Sequence, residues 1–187
     1  MKTAFLIHGS YGSPKENWFP WLKEELQKLG YKVYAPQFPT PENQSLDSWG
    51  KAFQPFLGKI NEETIFVGHS LGPAFILHIL QNLHVEIRAS FFVSSFISPL
   101  GIERFDSVNR TFYGQDFHWQ AIKHHCRDFC LFHGEDDPYV PVEKAEELNS
   151  HLHGELILLE KGGHLNAESG FMEFQQLLEK IRALSAG

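Results

Sequence analysis

From Thr64 the chain runs Thr64-Ile65-Phe66-Val67, turns through Gly68-His69-Ser70-Leu71-Gly72, and continues into a helix-length apolar stretch. A strand that becomes a helix within so few residues constrains the fold more than any other feature of this sequence. The strand is apolar on both faces, so helices must cover its sheet on both sides, and the sheet must be parallel. Gly68 and Gly72 have a steric role, because a Cβ at either position would crowd the turn. Ser70 then stands at the carboxyl end of the strand with its hydroxyl exposed. The helix behind it begins with free N–H groups. The five-residue pattern Gly-x-Ser-x-Gly is common by chance, and its place between strand and helix is what gives it meaning.

The rest of the chain repeats the alternation. Strands are predicted near 3–8, 32–36, 64–69, 90–96, 129–133 and 155–160, and helices near 15–29, 45–60, 71–83, 116–126, 142–152 and 171–184. Right-handed crossovers between such units give an α/β fold, a three-layer α/β/α sandwich with about six parallel strands. Gly30 closes the first helix, and Ser45 with Asp47 can cap the second. With 187 residues and no linker, repeat or low-complexity segment, residues 1–187 read as a single domain. A net charge of −7 argues against nucleic acid and against an anionic membrane surface as partners. The opening apolar run, Ala4-Phe5-Leu6-Ile7, is too short for a signal peptide and reads as the first strand. Two cysteines, Cys126 and Cys130, make no disulfide framework, so the expectation is a cytoplasmic protein. Residues 99–115 form an unusually long connection that leaves the carboxyl edge of the sheet, and they read as a small lid or acyl-pocket wall, or else as a surface loop pinned by its aromatics.

The chemistry-bearing residues follow the same edge. Ser70 is the candidate nucleophile, and a serine hydroxyl needs a base to take its proton. His164, in the loop Lys161-Gly162-Gly163-His164 directly after the last strand, is placed to be that base. A carboxylate must fix its tautomer. Glu135-Asp136-Asp137-Pro138 follows the fifth strand, and Asp137 is favoured because Pro138 stiffens the backbone beyond it; Asp136 stands second. The backbone amide of Leu71 supplies one oxyanion donor, and that of Ser10 or Tyr11, in the glycine-containing loop after the first strand, supplies the other. His8 is expected to support that loop, and His69 to pack beside the nucleophile. Phe105, Phe112 and Tyr113 suggest an apolar or aromatic substrate pocket, with Phe117 and Trp119 divided between pocket and core. His118, His124, His125, Cys126 and Cys130 fit no standard zinc spacing, so no metal and no cofactor is expected.

Asn17-Trp18-Phe19-Pro20-Trp21-Leu22, Gly68-His69-Ser70-Leu71-Gly72, Asp137-Pro138-Tyr139-Val140-Pro141 and Gly163-His164 span nearly the whole chain. With them the chain resembles the small serine hydrolases of the α/β-hydrolase superfamily grouped around bacterial YdeN and human retinoblastoma-binding protein 9. The resemblance implies a trimmed α/β-hydrolase fold without a large cap, and a triad of Ser70, Asp137 and His164. It implies a carboxylesterase-like enzyme cleaving small esters, thioesters or activated amides, with a small-molecule acyl substrate as its partner. A peptidase or aminopeptidase-like activity is the alternative within that class, and a non-catalytic binding protein the alternative outside it. Neither cysteine sits in Leu-x-Cys-x-Glu, so no pocket-protein partner carries over. The oligomeric state is left open.

Overall fold

The structure, a computed structural model, describes residues 1–113 and 116–184. Six strands, β1 (Thr3–Ile7), β2 (Lys32–Tyr34), β3 (Thr64–His69), β4 (Ile87–Val93), β5 (Cys126–Gly134) and β6 (Glu155–Leu159), form one sheet in the order β2-β1-β3-β4-β5-β6. Every neighbouring pair is parallel. Strand side chains alternate between two cores, as the period of two requires. Ala4, Leu6, Ile65, Val67, Phe91 and Phe132 face one helix layer. Phe5, Ile7, Phe66, Phe92 and Leu131 face the other.

The first layer holds α1 (Phe19–Lys28) and α7 (Gln175–Leu184), which bury Phe19, Leu22 and Leu26, and Leu177, Leu178 and Ile181. The second holds α2 (Leu46–Phe53), α3 (Gly72–Leu80), α5 (Trp119–His124) and α6 (Val142–Leu152). All residues of α3 are buried, as befits a helix that is apolar around its whole circumference. The aromatic content goes largely into this second core, where Trp49 stacks on Phe38 at 4.6 Å and meets Phe75 and Phe112 edge-on. Among the described residues no helix is long and apolar enough to cross a membrane.

Local chemistry explains where the elements depart from the sequence reading. The helix expected over 45–60 is α2 followed by a 3₁₀ turn, Gln54–Lys59, because Pro55 has no N–H for an α-helical bond. Ser45 caps α2 through the Ser48 amide at 3.1 Å, while Asp47 pairs instead with Lys51. Strand β4 ends at Val93, short of the expected 96, because Ser94 takes φ +49 and leaves extended geometry. Strand β5 begins three residues before the expected start, so both Cys126 and Cys130 lie in it. The long connection at 99–115 contains a helix, α4 (Glu103–Asn109), with a 3₁₀ turn, Arg110–Phe112. Gly114 and Gln115 lie outside the described residues.

The strand order also places the site. The chain goes outward from β1 to β2, then crosses to the other side of β1 for β3. The loops after β1 and β3 therefore diverge to opposite faces, and a crevice opens between them at the carboxyl edge.

Candidate active site

Ser70 occupies that crevice. It directly follows β3 and adopts φ +58, a left-handed conformation rare for a residue with a side chain. Its amide donates to the Val93 carbonyl at 2.8 Å, which ties the turn to β4. A Cβ on Gly72 would run into the Ile7 carbonyl of β1, so only glycine lets α3 start so close to the sheet. On the other side, a Cβ on Gly9 would come within 2.7 Å of the Ser70 Cβ. The loop after β1 therefore lies directly against the serine.

Asp137 and His164 meet at the far side of the same crevice. The His164 Nδ1–H donates to Asp137 Oδ2 at 2.8 Å, and the Asp137 side chain is fully buried. Its other oxygen accepts the amides of Tyr139 at 2.9 Å and Val140 at 3.0 Å. Burial alone would raise the Asp137 pKa; the hydrogen bond and charge of His164, with those two amides, outweigh it and hold the carboxyl below its ordinary value. Asp136 points elsewhere, accepting the Gly163 amide at 2.6 Å, so it holds the histidine loop from outside. Ser70 and His164 line one cavity of about 400 Å³.

Three further side chains secure this geometry, and the sequence reading gave none of them that role. Trp18 Nε1–H donates to the Leu165 carbonyl at 2.9 Å. His69 Nε2–H donates to the His164 carbonyl at 2.9 Å, so His69 packs as expected and also clamps the backbone of His164. Burial, reinforced by the neighbouring His164, lowers its pKa to about 3, and it remains a neutral donor. His133 Nε2–H donates to the Val140 carbonyl at 2.8 Å and braces the turn that carries Asp137. Trp18 and His69 lie within stretches the sequence singles out and His133 just before the acidic loop, but nothing local names their distant partners.

The first loop is held by a polar network. His8 donates from Nδ1 to the Gly9 carbonyl and accepts the Phe38 amide at Nε2, which makes it a neutral loop support as expected. The Tyr11 amide donates to Thr40 Oγ1 at 2.6 Å. The Tyr11 N–H is therefore already engaged with a side-chain oxygen. The Ser10 hydroxyl donates to Asn109 Oδ1 at 2.5 Å and accepts from Gln44 Nε2 at 2.9 Å. Leu71, the other candidate donor, immediately precedes α3.

The pocket prediction is corrected at two positions. Phe105, on α4, lines the cavity with Tyr11 and Tyr139. Phe112 does not, being fully buried against Trp49 in the core. Tyr113 is not in the lining either; it packs near Phe96, which is, with its hydroxyl donating to Asp106. Phe117 packs at a tilt against His78 and Trp119 stacks on His151, and neither lines the cavity. Among the described residues no three His, Cys, Asp or Glu side chains are grouped to hold a metal.

A helix-covered parallel sheet with a serine on a strained strand-to-helix turn and no large cap among the described residues is an α/β-hydrolase fold. The chain belongs to the serine hydrolase family, which it matches over residues 4–183. It is 28% identical over 173 residues to YdeN of Bacillus subtilis (strain 168), covering 91% of this chain and 89% of YdeN. It is 24% identical over 184 residues to the serine hydrolase RBBP9 of Rattus norvegicus, covering 97% of this chain and 94% of that protein. The crystal structure of B. subtilis YdeN superposes with a TM-score of 0.93 over the whole of both chains at 25% identity.

Proposed function

We propose that this protein is an acyl hydrolase that cleaves small carboxylic esters, thioesters or activated amides through an acyl-enzyme on Ser70. The observation that carries the reading is the buried Asp137–His164 hydrogen bond of 2.8 Å on the cavity that also holds Ser70. Ser70 Oγ attacks the carbonyl carbon while His164 Nε2 takes the hydroxyl proton. Asp137 keeps the proton of His164 on Nδ1 and stabilises the imidazolium. The amides of Leu71 and Ser10 receive the negative oxygen. Collapse expels the leaving group, which takes its proton from His164. A water molecule activated by the same imidazole then releases the acid. No metal or cofactor enters this sequence of steps.

The test is reaction of the pure protein with a fluorophosphonate probe, read by intact mass and by the labelled peptide, beside Ser70→Ala and His164→Ala. A single adduct on Ser70, lost in the first variant and greatly slowed in the second, is expected. A folded protein that takes no label would turn the reading toward a binding role on a hydrolase scaffold.

A further inference from the structure

The cavity has one feature that the hydrolytic steps leave unused. Arg104, on α4, is the single lysine or arginine among the described residues that line it. Its guanidinium lies over the Phe105 ring, 4.5 Å from the centroid, and 5.9 Å from that of Tyr139. Tyr139 in turn stands edge-on to the His164 ring at 5.3 Å, so one aromatic ring separates the cation from the proposed base. Its position on the helix is fixed, because the Tyr11 hydroxyl donates to the Arg104 carbonyl at 2.9 Å.

The guanidinium pairs with no carboxylate among the described residues. Asp106, two positions on, is engaged with the Leu100 and Gly101 amides, each at 2.8 Å. The carboxylates that do line the cavity, Glu16 and Glu168, come from the loops after β1 and β6. Arg104 is exposed to solvent and lies on the aromatic wall of the cavity without an acidic partner among the described residues, which leaves its donors available to an anion. Arginine offers a carboxylate two parallel donors, and stacking keeps the fork in place between substrates.

We propose that Arg104 is an anion subsite, and that the preferred substrates are esters or amides carrying a carboxylate beyond a short apolar or aromatic spacer from the scissile carbonyl. The proposal rests on the acyl-hydrolase reading of Ser70, and it adds the substrate class.

Two substrate pairs test it and distinguish the side on which the charge lies. Mono-4-nitrophenyl glutarate against 4-nitrophenyl valerate puts the carboxylate on the acyl group. 4-Acetoxybenzoate against phenyl acetate puts it on the leaving group. Within each pair kcat/KM is measured for the wild type, Arg104→Gln, Arg104→Lys and Arg104→Glu. Comparing the charged-to-neutral ratio between proteins cancels the intrinsic reactivity of the esters.

In at least one pair, Arg104→Gln is expected to lower that ratio about tenfold or more, the scale of one charge-assisted hydrogen bond. Arg104→Lys should keep part of the ratio, and Arg104→Glu should lower it further. Equal ratios in wild type and Arg104→Gln for both pairs, with Ser70 still labelled by fluorophosphonate, would overturn the anion subsite alone. A wild type that neither takes the label nor turns over any of the four esters would overturn the hydrolase reading, and the subsite with it.

Discussion

Asp137 accepts three hydrogen bonds on two oxygens, two from backbone amides and one from the His164 imidazole. The amides of Tyr139 and Val140 fix the carboxylate, and the carboxylate fixes His164. Asp137→Asn keeps the size and the acceptor oxygen but presents an N–H₂ where His164 Nδ1–H needs an acceptor. The imidazole is then driven to the wrong tautomer, with no lone pair facing the serine. Ester kcat/KM should fall roughly 10³–10⁴-fold. Steady-state turnover of 4-nitrophenyl acetate measures this, and a loss under tenfold would remove Asp137 from the role. At this same scale the sequence favoured Asp137 over Asp136 on the strength of Pro138. The geometry separates the two by partner: one touches the imidazole, the other the Gly163 amide.

Among the elements, the loop after β6 depends on side chains from far along the chain. Trp18, just before α1, reaches Leu165 across 147 residues of sequence, and His69 reaches His164 across 95. Trp18→Phe keeps most of the packing in the first core but leaves the Leu165 carbonyl buried without that donor. The expected cost is about 1–3 kcal/mol in urea denaturation, together with a lower ester kcat as His164 loses its fixed place. Unchanged stability would mean that the carbonyl finds another donor. Helix α4 belongs to the same scale. Its N-cap position is Ile102, which offers no capping side chain, so the sequence carries no start signal for a helix there. Asp106 reaches back from inside the helix to the Leu100 and Gly101 amides instead.

The whole molecule carries a stability term set by buried imidazoles. Burial lowers the pKa of His69 from 6.5 to about 3, and lowers those of His8, His78 and His133 from the same value. The unfolded chain therefore binds more protons than the folded one as pH falls below 6.5, and stability must fall with it. Asp137 acts with the same sign at lower pH. Its depressed folded pKa gives stability above the ordinary carboxylate value of 3.8, which is lost as pH drops through the folded value. His69→Asn retains an N–H donor for the His164 carbonyl and removes the titration. Melting temperatures between pH 7.5 and 5 should therefore decline less steeply in the variant than in the wild type. Superimposable slopes would exclude His69 as a source of the acid sensitivity.

By itself the sequence determined the sheet, its helix-covered faces and the position of Ser70, because these rest on local periodicity and on steric demands made within a few residues. It also brought Asp137 and His164 to the strand ends, since each follows a strand directly. Only the tertiary structure decided which first-loop amide remains available and which aromatics face the cavity. It also decided which polar side chains hold the His164 loop. Those outcomes depend on partners distant in sequence, such as Thr40 for Tyr11 and Asn109 for Ser10. Phe105 and Phe112 are alike in type and close in sequence, yet α4 carries the first to the cavity and the 3₁₀ turn after it carries the second into the core.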